Sequence, residues 1–367
     1  MSNKIKNIVV TVCFCLFILF FSIFAVVKPP TKVSESERRP LAQFPESITL
    51  ESVFDKSSIE QFESYTVDQF PLREAFRTLK AYFHLDVLRI KENNGIAVKN
   101  GYIAAIINDF NVEVIDYSLG RLRYVSETYL KDNKGNKYFA LVPDKNYYLA
   151  EDYGYPSPDY KGLKNKIIDM FTDFEYIDLT DTLSLEAYYK TDTHWSQDKI
   201  TSAANKLLSS MGVDEVKPES YTLNSINDFK GVYYLQSALH PQPDTLYYLT
   251  NDTINSYTVY DYETQNKIPV YSKELFESKD GYNFFLGGTK ALLRIDNPKA
   301  TTDKELIIFR DSFTSSIAPL LAESYKSVYL VDIRYVMPDI VREYIDPADK
   351  DVLFMYSSLI LNQKSLK

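Results

Sequence analysis

The feature that most constrains this chain is an uncharged run near its start. After "MSNKIKN", residues 8–27 read "IVVTVCFCLFILFFSIFAVV", which is 20 residues without a charged side chain. At about 1.5 Å per residue, a helix of this length matches the roughly 30 Å apolar core of a bilayer. Lys4 and Lys6 precede the run, which favours a cytoplasmic N-terminus and an exported remainder. The following "KPPTK" offers no small-x-small cleavage site. We therefore expect an uncleaved signal anchor over residues 1–28, in a cell-membrane protein whose C-terminal part is extracytoplasmic.

The exported part must fold without disulfides, because Cys13 and Cys15 both lie inside the apolar run. A net charge of −9 and a pI near 5.1 argue against nucleic acid as a partner. A metal site needs at least three suitably spaced ligands. With no exported cysteine and only three histidines, we expect neither a metal nor another cofactor.

Residues 29–95 read as a juxtamembrane segment, and residues 96–367 as one large domain. The segment starts with a polar, proline-punctuated linker over residues 28–50. Apolar residues then recur at three or four in "SIEQFESYTVDQFPLREAFRTLKAYFHLDVL", which predicts two helices separated at Pro71. His84 falls within this apolar pattern, as expected of a packed or partly exposed helix residue.

An alternation of strands and helices starts at residue 137. "KYFALV" and "FEYIDL" predict strands on either side of a helix over residues 160–171. "SQDKITSAANKLLSSMG" predicts a helix that is capped by Ser196 and ends at Gly212.

The alternation stops over residues 213–300 and then resumes. "GVYYL", "DTLYYLT", "SYTVYDY" and "IPVYS" predict short antiparallel strands in a β-rich insertion. Afterwards "ELIIF", "SVYLVDI" and "DVLFMY" predict strands, separated by helices in "SSIAPLLAESY" and "MPDIVREYI". Strands rich in Ile, Leu and Val that alternate with helices indicate an α/β fold, with a parallel sheet covered on both faces.

Two polar clusters fall where such a sheet binds ligands, at the carboxyl ends of its strands. Asp192 and His194, in "KTDTHW", lie just before a helix, and Ser312, in "FRDSF", follows a buried-type strand. A serine on such a turn exposes its hydroxyl, and the free N–H groups of the next helix can hold an oxyanion. His194 could take the hydroxyl proton while Asp192 orients the imidazole.

Each residue also has a simpler interpretation. Ser312 or Asp311 could be only a helix cap, Asp192 a turn residue and His194 a surface histidine. Trp195, the only tryptophan, could form a platform for an acceptor sugar or pin its loop to the core.

The stretches "TDTHW", "FRDSF", "YNFFLGGTKALLRIDNPKA" and "VYLVDIRY" resemble the DHHW family of Gram-positive bacteria. "SERRPLAQFP", "FESYTVDQFPLRE" and "YFALVPDKNYY" extend the resemblance over most of residues 35–362. That family is similar to the SGNH-hydrolase-like domains of the alginate O-acetyltransferases. The resemblance implies an SGNH-like, flavodoxin-like three-layer fold. It also implies a triad of Ser312 as nucleophile, His194 as base and Asp192 as its orienting residue.

By the same resemblance, the serine carries an acyl group, usually acetyl, to a hydroxyl of an exported polysaccharide. A multipass membrane-bound O-acyltransferase is the expected acyl donor. The same triad would also serve a carbohydrate acetylesterase, and a chain without activity would serve as a scaffold or glycan-binding subunit of an export complex.

The chain departs from the family pattern at several positions. Thr193 stands where the family name expects a second histidine, and Arg310 replaces the glycine of the usual Gly–Asp–Ser. The glycine and asparagine that complete the oxyanion hole in SGNH enzymes are not visible. We expect Arg334 and Tyr335 to take their place by position, Arg334 having a surface ion pair as its alternative. Arg310 and Tyr356 are further candidates.

Overall fold

The chain divides into two units in the computed structural model, which describes residues 3–367. One unit comprises the residues up to Ile90 together with Leu235–His240, and the other comprises Lys91–Tyr234 together with Pro241–Lys367.

The first unit is mainly helical. It starts with α1 (Asn3–Val27), which contains an 18-residue stretch of mean hydropathy 2.9 and is long and apolar enough to cross a membrane. A short antiparallel pair follows, β1 (Val33–Ser34) with β2 (Arg39–Pro40). The remaining helices are α2 (Leu50–Phe54), α3 (Ser57–Asp68) and α4 (Arg73–Tyr82), and α4 runs into a π-helical turn at Phe83–Val87. The chain breaks between α3 and α4 around Pro71, as its fixed φ and missing N–H predict.

The second unit holds the main sheet and two smaller ones. Its strands are β3 (Glu92–Asn93), β4 (Ile96–Lys99), β5 (Tyr102–Ala105), β6 (Lys137–Val142), β7 (Glu175–Asp178), β8 (Thr222–Phe229), β9 (Asp244–Thr250), β10 (Thr258–Asp261), β11 (Asn266–Ile268), β12 (Leu292–Asp296), β13 (Glu305–Arg310), β14 (Ser327–Val331) and β15 (Asp351–Ser357). The later helices of the chain are α5 (Val112–Thr128), α6 (Lys145–Tyr153), α7 (Tyr160–Met170), α8 (Thr201–Ser210), α9 (Val232–Gln236), α10 (Lys273–Phe276), α11 (Thr314–Leu321), α12 (Pro338–Val341) and α13 (Ser358–Leu361).

The main sheet has the strand order β11-β10-β12-β14-β13-β15-β6-β7. The five strands from β14 to β7 are parallel, and β12, β10 and β11 extend the sheet in antiparallel pairing. Counted from β13, the parallel strands run 2-1-3-4-5, which is the flavodoxin-like order. The α/β fold with its parallel sheet is confirmed, and the chain supplies strands 4 and 5 of this order before strand 1.

Apolar cores cover both faces of this sheet. On one face Ile308 and Met355 pack with Ile317 and Leu321 of α11. On the other face Phe309 and Phe354 pack with residues such as Val341 of α12. The connections that leave β13 and β14 therefore lie on opposite faces. This arrangement opens a crevice between the carboxyl ends of β13 and β15, where doubly wound folds bind ligands.

Four local predictions need correction. "IPVYS" belongs to a strand only at Ile268, the last residue of β11. "GVYYL" forms part of helix α9 rather than a strand, because the N–H groups of Val232 and Tyr233 donate to Asp192 and to the Thr191 carbonyl. "MPDIVREYI" is helical only over Pro338–Val341, and its last turn tightens into bonds such as Tyr344 N–H to the Val341 carbonyl.

Helix α8 starts later than its sequence predicts. A 3₁₀ turn at Gln197–Lys199 precedes this helix, which starts at Thr201. The Ser196 hydroxyl donates to Asp198 instead of capping the helix. At the other end Gly212 has a φ of +65°, the left-handed conformation of a helix C-terminal stop.

Candidate active site

Ser312 lies on the turn that joins β13 to α11. Asp311 holds this turn, since its two carboxylate oxygens accept from the N–H of Phe313 at 3.0 Å and from that of Ser357 at 2.7 Å. The second bond crosses the crevice to the end of β15. Asp311 is thus the residue that accepts backbone hydrogen bonds here, so the hydroxyl of the partly exposed Ser312 is not used as a helix cap. The Ser312 N–H donates no hydrogen bond within residues 3–367.

His194 and Asp192 meet Ser312 from the loop before α8. His194 Nε2 lies 2.8 Å from Ser312 Oγ, and His194 Nδ1 lies 2.5 Å from Asp192 Oδ1. Burial raises the pKa of Asp192, but the positive charge of a protonated His194 and hydrogen bonds from His194 and Val232 outweigh it and lower the pKa to about 2. An ionised Asp192 accepts from Nδ1–H, so the neutral imidazole presents Nε2 as an acceptor to the serine hydroxyl.

The loop ahead of Asp192 is held from two sides. Lys145, which is 2% exposed, donates from Nζ to the carbonyl groups of Ile103, Tyr189 and Lys190. Burial lowers its pKa to about 7 against the opposing effect of nearby carboxylates. Asp244 accepts from the N–H groups of Lys190 and Thr191 and from the Thr191 hydroxyl, at 2.7–3.0 Å. These bonds give the polar backbone groups of the loop their partners and hold the residues directly before Asp192 in place.

Gly231 allows its own segment, at the start of α9, to approach Asp192 closely. A Cβ atom on Gly231 would stand 2.4 Å from both the Asp192 Cβ and the Thr191 carbonyl oxygen. Only glycine fits there, and the next N–H, of Val232, donates to Asp192 Oδ2 at 2.8 Å.

Trp195 connects the two halves of the site from inside the core. It is fully buried, and its indole N–H donates to the Phe313 carbonyl at 3.0 Å and to Ser316 Oγ at 2.9 Å. The ring therefore cannot be a platform for a sugar, and Trp195 pins the His194 loop to α11. Gln197 acts alongside it by donating to the Ser316 carbonyl at 2.6 Å.

Two of the expected substrate-side residues are fully buried, whereas Arg334 and Tyr335 keep exposed surface and stay predictions. Arg310 is fully buried and donates to Ser315 Oγ and to the Lys290 carbonyl, so it braces the Ser312 turn and cannot touch substrate. Tyr356 is also fully buried, and its hydroxyl has no partner within residues 3–367. Arg334 is engaged by both oxygens of Asp332, at 2.9 and 2.6 Å, and rests over the exposed ring of Tyr335. Arg310 needs no glycine-like backbone, because its φ is not positive.

Thr193 points away from the Ser312 contact. Its side chain lies near the phenol of Tyr233 and lowers the pKa of that group against the raising effect of burial, as expected when neighbours in an extended segment point to opposite sides. The departure from the second histidine thus falls outside the Asp192–His194–Ser312 chain of contacts.

Reasoning from sequence missed the residues that hold this chain of contacts in place. Tyr282 stacks on His194, and Lys145, Asp244 and Gly231 fix the loop. Tyr282 and Lys145 lie within the family-like stretches "YNFFLGGTKALLRIDNPKA" and "YFALVPDKNYY", which was the available signal. Nothing local marks Asp244 or Gly231.

Together, the strand order and the serine at the end of its first strand define an α/β domain of the SGNH-hydrolase-like class, with Ser, His and Asp in hydrogen-bonding contact. The model of the family described as DHHW protein matches residues 175–331, a range that includes Asp192, His194 and Ser312. The resemblance to the DHHW family is thereby confirmed over this region.

Solved structures agree with this fold. A DHHW family protein from Eubacterium siraeum DSM 15702 aligns with a TM-score of 0.61 at 22% identity, covering 74% of this chain and 93% of that chain. Bacillus cereus PatB1 aligns with a TM-score of 0.56 at 22% identity, covering 75% of this chain and 99% of that chain. The structure of PatB1 with a sulfonyl adduct aligns with a TM-score of 0.56 at 18% identity, covering 74% of this chain and 100% of that chain. No curated protein sequence matches the chain.

Proposed function

We propose that this protein is a membrane-anchored, extracytoplasmic O-acyltransferase, in the simplest case an O-acetyltransferase, that esterifies hydroxyls of a cell-surface or exported polysaccharide. The observation that carries the proposal is the continuous hydrogen-bonded chain from Ser312 Oγ through His194 to buried Asp192, with spacings of 2.8 and 2.5 Å. The apolar helix α1 supports the anchor, and the resemblance to the DHHW family and the alginate O-acetyltransferases supports an acetyl group and a glycan.

In the first half-reaction, Ser312 Oγ attacks the carbonyl carbon of the donor's acyl group while its proton passes to His194 Nε2. The resulting imidazolium is stabilised by Asp192. When the tetrahedral adduct collapses, the bond to the donor's leaving group breaks and the leaving group takes the proton from Nε2. The product is an acyl-Ser312 ester, and a multipass membrane-bound O-acyltransferase is our proposed donor.

In the second half-reaction, a hydroxyl of the polysaccharide attacks the acyl carbon. His194 takes the hydroxyl proton and then returns it to Ser312 Oγ as the acyl–serine bond breaks. The developing negative charge on the acyl oxygen needs donors in both halves. The free N–H of Ser312 is the proposed backbone donor, since it has no other acceptor within residues 3–367.

An esterase is the second candidate, because Ser312 is partly exposed and water could reach the acyl group. The two activities differ only in whether water or a sugar hydroxyl attacks the acyl-serine.

The proposal is tested by trapping the acyl-serine. The full-length protein is incubated with an activated acetyl ester or with a sulfonyl fluoride, and the adduct is located by peptide mass spectrometry. We expect the modification on Ser312, and its loss in Ser312→Ala but not in Ser209→Ala, which removes an exposed hydroxyl on α8.

Adding polysaccharide acceptors then separates the candidates. Acetate that appears on the glycan supports the transferase, whereas free acetate at an unchanged rate supports the esterase. Labelling that persists in Ser312→Ala, or an intact enzyme that no acyl donor modifies, would contradict both and favour a scaffold.

A further inference from the structure

The segment of residues 44–90 exposes an unusual amount of apolar surface. Seventeen large apolar side chains are exposed within it, whereas only nine are exposed in all of 91–234 and 241–367. Leu50 is 80% exposed, Phe54 84% and Leu79 63%. A water-facing surface rarely concentrates apolar side chains in this way, so a contiguous patch indicates a surface that something apolar covers.

Helix α4 exposes apolar side chains while it covers its two arginines. Its Arg73 and Arg77 side chains are only 13% and 14% exposed, because they form ion pairs with Glu37 and Glu74. Phe76 and Leu79 point outwards instead, and Phe83 continues this face into the π-helical turn. A helix that covers both of its arginines and presents an apolar stripe outwards, with Glu74 and Lys80 still exposed, is matched to the boundary between an apolar solvent and water.

The contacts of α1 show what that solvent is. Phe21 of α1 stacks on Phe70 with ring centroids 5.5 Å apart and planes 12° from parallel, and it meets the edge of Phe76 at 5.8 Å. The apolar run of α1 ends at Val27. Phe21 lies six residues earlier, or about 9 Å deeper at 1.5 Å per residue.

This depth matters because the apolar run spans about 30 Å, the thickness of the bilayer core itself, so that Val27 lies at the outer edge of the hydrocarbon. Rings in contact with Phe21 must then reach below that edge. Helices α3 and α4, which flank Phe70 and contribute Phe76, cannot stand clear of the membrane while these contacts exist.

We propose that α2, α3 and α4 lie in the outer interface of the bilayer that α1 enters, with their exposed apolar side chains among the lipid acyl chains. The inference rests on the membrane anchor proposed above and is independent of the acyl-transfer chemistry. Residues 44–90 contain five Lys or Arg and eight Asp or Glu, a net charge of −3. Insertion of apolar side chains, rather than attraction to anionic headgroups, therefore holds the segment to lipid.

The test places spin labels on the full-length protein in phosphatidylcholine nanodiscs. After Cys13→Ser and Cys15→Ser, single cysteines are introduced as Phe62→Cys on α3 and as Leu79→Cys on α4. We expect both labels to be accessible to oxygen and inaccessible to a water-soluble nickel chelate. Both accessibilities should stay the same when the salt concentration is raised. Gln61→Cys is the matched control: Gln61 is exposed on α3 about 100° around the helix from Phe62, and its label should remain accessible to the chelate.

A label on native Cys13, with Cys15 replaced, reports α1 by itself. If Cys13 lies in lipid but the labels at positions 62 and 79 are as accessible to the chelate as that at position 61, the anchor holds and the proposed surface is wrong. Spin–spin broadening at positions 62 and 79 would mean that a second copy covers the surface, which would also overturn the proposal. None of these readings depends on acylation of Ser312, so failure of the proposed enzyme activity would be seen separately.

Discussion

The imidazole of His194 lies flat on the phenol ring of Tyr282, with ring centroids 3.8 Å apart and planes 4° from parallel. The Tyr282 hydroxyl donates to Ser316 Oγ at 2.7 Å, the same oxygen that accepts from Trp195. Packing on one ring face and hydrogen bonds in the ring plane together leave the imidazole a single orientation. The stack also covers a ring that must carry positive charge during the proposed reaction.

Tyr282→Ala should slow acylation of Ser312 by about 10- to 100-fold, because a small displacement of the base is enough to cost this much. Tyr282→Phe keeps the stack and loses one buried hydrogen bond, so it should retain most of the rate while losing about 1 kcal/mol of stability. Acylation rates with an activated ester and urea unfolding of both variants check this. Equal rates for Tyr282→Ala and wild type would show that the stack does not position the base.

Gly231→Ala should destabilise the fold by about 1–3 kcal/mol, since its Cβ has no room beside Asp192 and the backbone must shift. Because the shift falls on Asp192, acylation should slow as well. Gly120→Ala is the matched control: its added Cβ meets nothing within 4 Å in the exposed middle of α5. It should stabilise the protein by about 0.5–1 kcal/mol. The unfolding temperature should fall in Gly231→Ala and rise in Gly120→Ala, and acylation should slow in Gly231→Ala alone. Equal changes in the two variants would refute the steric argument.

The stability contributed by Asp192 should disappear in strong acid. Its pKa is lowered to about 2 in the folded protein, whereas an unfolded aspartate has a pKa of about 3.9. The unfolded chain therefore binds the proton first as the pH falls. The contribution, of about 2–3 kcal/mol, is complete above pH ~4 and is lost between pH ~4 and pH ~2.

This loss can be measured as the difference in unfolding free energy between wild type and Asp192→Asn at pH 5 and at pH 2.5. Fluorescence of the sole tryptophan, buried Trp195, reports unfolding in both proteins. A difference that stays constant with pH would mean that Asp192 is not held ionised by His194.

Lys145→Met should remove a donor from three carbonyl groups, of which only that of Lys190 keeps the Ile103 N–H, at a cost of about 1–3 kcal/mol in stability. The freed loop should also let Asp192 drift, so acylation of Ser312 should fall at temperatures where the variant is still folded. Lys161→Met removes an exposed lysine of α7 and should change neither quantity. Loss of stability without any loss of acylation rate would limit Lys145 to a structural role.

Local patterns were enough to predict most of the parallel sheet. "KYFALV" is β6, and "ELIIF" and "DVLFMY" form the cores of β13 and β15, because long runs of branched apolar residues suit strands buried on both faces. One error fell where partners distant in sequence supply the hydrogen bonds. "GVYYL" has strand-like residues, but the loop of Asp192 accepts its N–H groups and makes it helical.

The site divides in the same way. Ser312, His194 and Asp192 were visible because each stands at the end of a predicted strand or just before a predicted helix. Trp195 could be seen as a neighbour, but whether it faced a sugar or the core depended on the position of Phe313 and Ser316, more than a hundred residues later. Arg334 was assigned by position alone, and its pairing with Asp332 could not be read from spacing.

What the sequence determined by itself is therefore the set of elements and the residue types at their ends: an apolar helix, alternating strands and helices, and Ser, His and Asp at turns. Only the tertiary structure decided that Asp192 meets His194 at 2.5 Å, that His194 meets Ser312 at 2.8 Å, and that Tyr282 and Gly231 enforce both contacts. The physical reason is the distance along the chain over which each effect acts. Hydrophobic periodicity and backbone preference act over a few residues, whereas a hydrogen-bonded chain between residues 118 apart exists only once the strand order has brought their loops together.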